Sequence, residues 1–204
     1  MRAPVLALVL ALVPVGVAAQ VCRPTLSPAR QHRPAMRRRA PALEPPVQTS
    51  VAEVARWPAP VDSENPAVRD RDDPIDERET QGYTLTGVLQ RVTLETDDCD
   101  LHLELSAPGA TASSPRVVAE VPAAPAFQAA RDAILRALPA SVRLVPGQPV
   151  DLAAPVTVTV TGFAFYDAAR AGRSDPRRPT HESPFVGTLW GLHPVWTAVA
   201  GPRR

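Results

Sequence analysis

The sequence contains no lysine, few aromatic residues and only two cysteines, and each shortage limits what the protein can be. All 22 cationic side chains are arginine and the net charge is +1, so no overall field attracts nucleic acid or an anionic membrane. Only 3 Trp, 2 Tyr and 4 Phe serve the whole chain, and a hydrophobic core needs most of them. A broad aromatic binding surface is therefore not expected.

Common catalytic motifs are absent as well. The sequence has no Gly-x-Ser-x-Gly elbow, no phosphate-binding glycine loop, no Cys-x-x-Cys pair and no His-Glu-x-x-His motif. It therefore gives no support to a nucleophilic serine or cysteine enzyme.

Residues 1–19 predict a secretory signal peptide. Arg2 supplies a short basic region, Val5 to Val13 is an uninterrupted apolar run, and small residues end at Ala19, the expected cleavage position. This run is too short for a transmembrane helix, and no second run is long enough to span a bilayer. We therefore expect a secreted or periplasmic protein with no transmembrane segment in the mature chain. Val21 fits poorly before a lipidated Cys22, which disfavours a lipid anchor.

Export would place Cys22 and Cys99 in an oxidising compartment, where disulfides persist. A disulfide between them would close a loop of about 77 residues and contribute roughly 4 kcal/mol by chain entropy. Two unpaired thiols are the alternative.

Residues 20–80 predict a disordered, proline-rich arm. Prolines interrupt every helical pattern, and such a segment buries too little apolar area to offset its ordering entropy. The arm is basic from Arg23 to Arg56 and acidic from Asp62 to Glu79. We favour a solvated linker whose halves compensate each other, with contact to nucleic acid or an anionic surface as the alternative.

Residues 81–200 alternate with the period of two that is typical of strands. The clearest case is Val156 to Asp167, where valines alternate with threonines. Gly87 interrupts the first alternating stretch and predicts a bulge or sharp bend there. Four further strands and one helix are predicted: Tyr83 to Glu95, Leu101 to Leu105, Arg116 to Val121, Leu189 to Val199, and the helix Ala126 to Leu138.

The resulting order is strand, strand, strand, helix, strand, strand, which is the order of the OB-fold. We therefore expect a mostly β protein: a small OB-like five-stranded barrel with one helix between strands 3 and 4, preceded by the disordered arm. Residues 201–204 would form a short tail. An open α+β sandwich with the same elements is the alternative.

Four motifs between Gly82 and Val199 resemble those of a set of uncharacterised exported bacterial proteins: Asp98-Cys-Asp-Leu-His-Leu, Val118-Ala-Glu-Val-Pro, Val160-Thr-Gly-Phe-Ala-Phe-Tyr-Asp and Leu192-His-Pro-Val. The resemblance implies a small β domain with no agreed activity. Two positions depart from the pattern. Cys99 replaces the usual glycine, and Gly191 replaces the glutamate that often precedes Leu-His-Pro-Val.

Two aspartates and two histidines in these motifs form a candidate metal site: Asp98, Asp100, His102 and His193. If the turn after the first strand approaches the last strand, these groups could hold a divalent cation, the only cofactor that we consider. Such a metal could activate water for phosphodiester hydrolysis. Glu120 and Asp167 are candidates for orienting the histidines. Alternatively, the four residues are structural: the aspartates would accept hydrogen bonds from nearby backbone N–H groups in a turn, and the histidines would donate to a carbonyl or a carboxylate.

Binding is the competing class of function, because OB-like barrels bind oligonucleotides or oligosaccharides through stacking aromatics and a basic groove. The stacking candidates are Tyr83, Phe165, Tyr166, Trp190 and Trp196, and the phosphate-contact candidates are Arg170, Arg173, Arg177 and Arg178. Our leading expectation is an exported, non-catalytic binding or interaction module, with nucleic acid or a glycan as candidate partners. The alternative is a metal-assisted hydrolase of the phosphodiesterase or nuclease type.

Overall fold

A computed structural model describes residues 22–27, 31–111, 113–171 and 183–201. Its strands are β1 Val47–Ser50, β2 Gly82–Leu94, β3 Leu101–Ser106, β4 Arg116–Val121, β5 Val150–Tyr166 and β6 Val186–Ala200. Its helices are α1 Pro34–Arg37, α2 Val51–Val54, α3 Pro66–Arg69 and α4 Gln128–Ala137, with 3-10 turns at Glu77–Thr80, Pro125–Phe127 and Ala168–Arg170. No helix among these described residues is long and apolar enough to cross a membrane. The predicted signal peptide and residues 202–204 lie outside the described residues.

Strands β2 to β6 form a closed barrel in the order β2-β3-β4-β6-β5, and β5 pairs back to β2. The pairs are antiparallel except for β4 and β6, which run parallel. Helix α4, with the 3-10 turn before it, lies between β4 and β5 in the chain. This is the strand order of an OB-like barrel with its helix between the third and fourth barrel strands, so the predicted fold is confirmed and the open sandwich is excluded.

The alternation of β5 behaves as predicted. Val156, Val158 and Val160 are buried in the core, while Thr157 is exposed. The Thr159 hydroxyl lies 2.8 Å from that of Thr86 on β2. The strand side-chain period of two therefore sets which face of this strand lines the core.

Two details of the strands differ from the prediction. Strand β5 begins at Val150, earlier than expected, because its first residues pair with the end of β2 through Asp151 and Arg91. The register shift of β2 lies between Leu89 and Arg91, so the bulge predicted at Gly87 is wrong. Gly87 instead permits close packing, because a Cβ there would meet the Ser106 backbone oxygen at 3.1 Å.

Strand β3 is buried on both of its faces. Leu101, Leu103 and Leu105 point into the barrel, and His102 and Glu104 point outward as predicted, yet all five are buried. A second layer of the protein therefore covers the outside of the barrel here.

The arm supplies part of that layer. Its described part contains only short regular elements, as its prolines predict, but it packs on the barrel, which the sequence did not predict. Arg33 is 2% exposed, and its guanidinium donates to both carboxylate oxygens of Glu79 at 2.7 and 2.6 Å. Val51 and Val54 join the core of the barrel. The basic and acidic halves of the arm are thus joined by a buried ion pair, while other ion pairs of the arm are exposed.

The predicted disulfide is present and joins the arm to the turn between β2 and β3. The sulfur atoms of Cys22 and Cys99 are 2.07 Å apart, and the next arm residues donate backbone hydrogen bonds to this turn, from Thr25 to Thr96 and from Leu26 to Asp97, each 3.0 Å long. Cys99 has a φ of 64°, in the left-handed region that glycine adopts at lowest cost.

Removing the disulfide tests how much this link contributes. The variant Cys22→Ser, Cys99→Ser should lower the free energy of unfolding by about 4 kcal/mol, because the unfolded chain regains the entropy of a 77-residue loop. Cys22→Ser, Cys99→Gly should lose about 1 kcal/mol less, since glycine relieves the left-handed backbone. Urea unfolding of both variants measures these changes. Wild-type midpoints in both would contradict the structural role of the disulfide.

Candidate functional site

Acidic and imidazole side chains converge on the outer face of the barrel, where β3, β4 and β6 lie side by side. His102 pairs across the strands with Glu120, and Leu192, the neighbour of His193, pairs with Ala119. The turn after β2 and the residue after β5 add the remaining acids. The structure therefore brings together all six residues singled out for a metal site: Asp98, Asp100, His102, Glu120, Asp167 and His193.

Three of these residues form the centre of the cluster. His193 Nδ1 lies 2.6 Å from Glu120 Oε2, and His193 Nε2 lies 3.4 Å from Asp100 Oδ2. One potential ligand atom from each of the three residues lies within 4.8 Å of the others, and all three residues are buried. Two carboxylates and one imidazole are thus arranged around a common point.

His193 is held by charge rather than by hydrogen bonds. Neither of its buried ring nitrogens makes a hydrogen bond of adequate geometry, although both lie close to a carboxylate oxygen. Burial alone would lower the pKa of His193, but Glu120 and Asp100 outweigh it and raise that pKa above its usual value. A cation bound between the ring and the carboxylates would take one of these nitrogens as a ligand.

Glu120 contacts His102, His193 and Arg37, which come from three different elements. Its Oε1 lies 3.0 Å from His102 Nδ1, and its Oε2 accepts a hydrogen bond from Arg37 Nη1 at 3.2 Å. Burial alone would raise the pKa of Glu120, but His193, His102 and Arg37 hold it well below its usual value. Glu120 is therefore ionised despite its burial.

The positions of His102 and Glu120 differ from those that their predicted roles would require. His102 was predicted as a ligand, but it is not one of the three convergent residues. It contacts Oε1 of Glu120, whereas His193 contacts Oε2 of the same carboxylate. Glu120 was predicted as an orienting residue, but it is one of the three. His102 therefore positions Glu120, in the way that outer partners commonly orient metal ligands.

Asp98 and Asp167 lie beside the three central residues, around the guanidinium of Arg37. Arg37 Nη2 donates to Asp167 Oδ2 at 3.2 Å, and its Nη1 lies 3.9 Å from Asp98 Oδ2. The guanidinium also stands over the Phe165 ring, 5.1 Å from the ring centroid. Asp98 also accepts a hydrogen bond from the backbone N–H of Asp100, which is the role expected of an ordinary turn aspartate. Burial and the neighbouring Asp100 raise the pKa of Asp98 to about 6.

The described part of the site carries excess negative charge. Five carboxylates are linked by ion-pair contacts to two guanidiniums and two imidazoles: Glu95, Asp98, Asp100, Glu120 and Asp167 with Arg37, Arg170, His102 and His193. Buried carboxylates are costly unless a counter-charge is near. The cluster therefore favours an additional cation.

A cleft of about 330 Å³ lies next to the cluster and shares Glu120 with it. Its walls come from the arm, the turn after β2 and the 3-10 turn after β5. Arg170 lines the cleft and pairs with Glu95 at 3.3 Å. A small molecule in this cleft would lie directly beside the convergent carboxylates.

The predicted stacking surface is wrong for its main members. Tyr166 and Trp190 are 3% and 1% exposed and pack against each other in the core. Phe165 is buried beneath the arm arginines, and Trp196 packs on Phe163 at 4.8 Å between ring centroids. The scarcity of aromatic residues explains this outcome, because the core uses nearly all of them. Tyr83 is partly buried against Trp57, and the remaining predicted phosphate contacts lie outside the described residues: Arg173, Arg177 and Arg178.

Sequence reasoning missed Arg37, which comes from the arm. The arm has no hydrophobic period that would dock it on the barrel, so nothing in the sequence gave the distance between Arg37 and Glu120. One signal was available: the turn acids Asp98 and Asp100 have no arginine within six residues of them in the sequence.

Comparison with protein-family models, curated proteins and solved structures found no match for the chain. The resemblance drawn from the four motifs therefore stays a prediction, and the site is interpreted from its own geometry.

Gly191 brings β6 close enough to β4 to place His193 beside Glu120. A Cβ at position 191 would lie 2.5 Å from the backbone oxygen of Val118, so no side chain fits there without moving the strands apart. The same position cannot accept the glutamate expected from the motif comparison.

This close approach predicts the effect of one added methyl group. Gly191→Ala should lower the free energy of unfolding by about 1–3 kcal/mol, the usual cost of overpacking. Gly187→Ala on the same strand is the matched control, because a Cβ there meets nothing within 4 Å, and it should change stability by no more than about 0.5 kcal/mol. Equal urea midpoints for the two variants would show that β4 and β6 do not approach as described.

Proposed function

We propose that the protein is an exported binding module whose ligand is a divalent metal ion, held by Asp100, Glu120 and His193. The observation that carries the proposal is the convergence of His193, a buried imidazole between two carboxylates, with Asp100 and Glu120: one potential ligand atom from each lies within 4.8 Å of the others. The excess of carboxylates around it supports a cation as the ligand.

The donor set indicates which ions fit. Two carboxylate oxygens and one imidazole nitrogen suit Zn²⁺ or Mn²⁺, while both cysteines are used in the disulfide. Ligands about 2.1 Å from a shared ion lie at most about 4.2 Å apart. The present spread of up to 4.8 Å is close to that limit, so small side-chain rotations would complete the site.

Export is supported by the sequence of the first 19 residues and is compatible with the disulfide, which requires an oxidising compartment to persist. A module of this kind would meet its metal outside the cytoplasm.

Metal-assisted hydrolysis is the second candidate, and one observation favours it. Three protein ligands leave a fourth position for water in a tetrahedral site, and the cleft lies beside it. Hydrolysis of bis(p-nitrophenyl) phosphate by the metal-loaded protein separates the two functions. The binding module should show no rate above that of the free ion, whereas a rate that disappears in Glu120→Gln would establish the hydrolase.

Metal binding should stabilise the fold. At a free Zn²⁺ or Mn²⁺ concentration about one hundred times Kd, the free energy of unfolding rises by about 2.7 kcal/mol, which corresponds to a Tm increase of roughly 5–10 °C for a domain of this size. Differential scanning calorimetry of the mature protein, with and without the ion, measures the shift.

The matched variants for this measurement are His193→Gln and His32→Gln. The first should abolish the Tm shift, because it removes the only imidazole among the three convergent residues. The second should keep it, because His32 lies outside that group. A shift retained in His193→Gln, or no shift for either ion in the wild type, would contradict the proposed function.

A further inference from the structure

The arm places one arginine inside the proposed metal centre, and metal binding alone does not account for it. Arg37 is the last residue of α1 and is 9% exposed. Its Nε donates to the backbone oxygen of His32 at 2.9 Å, which fixes the direction of the side chain. Since a guanidinium does not lose its proton in proteins, Arg37 carries a permanent positive charge into the group of carboxylates where a cation is proposed to bind.

Arg37 occupies an oxygen of a proposed metal ligand. Its Nη1 donates to Glu120 Oε2 at 3.2 Å, and the same oxygen lies 2.6 Å from His193 Nδ1. The other oxygen of this carboxylate, Oε1, lies 3.0 Å from His102 Nδ1. Both oxygens of Glu120 thus have partners, and a metal ion that binds this carboxylate takes the place of one of them.

Arg37 is the partner that a metal ion replaces most readily. His193 would itself become a ligand, and His102 lies outside the three convergent residues. Arg37, in contrast, has a charge of the same sign as the ion and is repelled by it. It also keeps a partner after the exchange, because its Nη2 donates to Asp167 Oδ2 at 3.2 Å.

We infer that Arg37 is an internal competitor of the metal ion, which neutralises Glu120 in the metal-free protein, is replaced at Glu120 Oε2 when the ion binds, and so sets the metal affinity of the site. The inference rests on the proposed function, because it needs a metal ion at Asp100, Glu120 and His193. The segment of the arm that carries Arg37 acts as a built-in inhibitor of that site.

The direction of one effect separates this role from a merely structural one. If Arg37 only held the carboxylates in place, its removal would weaken metal binding, because the ligands would lose their arrangement. If it competes with the ion, its removal strengthens binding, since Glu120 keeps its contacts with His102 and His193 and one repelling charge is gone.

Isothermal titration calorimetry of the mature protein with Zn²⁺ and with Mn²⁺ measures this direction. Arg37→Gln should lower Kd by about tenfold or more, because a unit charge and a divalent ion a few ångströms apart repel each other strongly. Arg37→Lys, which keeps the charge, should stay within about threefold of the wild type.

Arg38→Gln is the matched control for the calorimetry. It removes the same charge from the next residue of the arm, but the half-buried Arg38 donates to Gln31 Oε1 at 3.0 Å and not to a carboxylate of the site. Its Kd should remain within about twofold of the wild-type value, because solvent and salt screen a charge that lies outside the cluster.

A second measurement needs no variant and therefore survives a failure of Arg37→Gln to fold. In NMR spectra of the wild-type protein, Zn²⁺ should shift the side-chain Nε–Hε signal of Arg37 and leave that of Arg33 in place. Arg33 is the matched arginine, since it is also a buried residue of the arm but pairs with Glu79.

The outcomes separate this inference from the proposed function. A Kd that is unchanged or higher in Arg37→Gln, or an Arg37 signal that bound Zn²⁺ does not move, would overturn the inference and leave the metal site in place. Absence of binding in wild type and variant alike would contradict the proposed function and the inference together. Binding by Arg37→Gln alone would support the inference and show that the docked arginine closes the site in the wild type.

Discussion

The buried, ionised carboxylate of Glu120 determines how the outer face of the barrel is arranged. A charge in the interior costs several kcal/mol unless partners compensate it, and Glu120 obtains its partners from three separate elements. His102 comes from β3, His193 from β6 and Arg37 from the arm. Because one carboxylate needs all three, it fixes two strands and the arm relative to one another.

The described part of the arm is consequently a second layer of the fold rather than a solvated linker. The disulfide holds it to the turn after β2, and the ion pair of Arg33 with Glu79 closes it on itself. This layer packs on β2, β4, β5 and β6 and on the turn after β2. The cleft and the proposed metal centre lie between this layer and the barrel.

The parts of the fold that follow from local periodicity were predictable. Alternation of valine and threonine in β5 and of leucine with polar residues in β3 defined strands with known faces, and the order of elements defined the barrel. The possible approach of the turn after β2 to the last strand was open from that topology, and the structure brings Asp100 of that turn to His193. Local pattern could not show that His102 and His193 share the carboxylate of Glu120. These three residues lie on three different strands, and their contacts depend on how those strands pair. It also could not dock the arm, whose anchors are isolated arginines and one disulfide rather than a hydrophobic repeat.

The central claim is that the carboxylates and His193 are arranged for a cation. An anomalous-difference map from crystals of the mature protein grown with Zn²⁺, recorded at the zinc edge, tests it most directly. We expect one strong peak about 2.0–2.2 Å from a ring nitrogen of His193 and from carboxylate oxygens of Glu120 and Asp100. No peak in this cluster, with His193 still ion-paired between the two carboxylates, would contradict it and would make the cluster a structural ion-pair network.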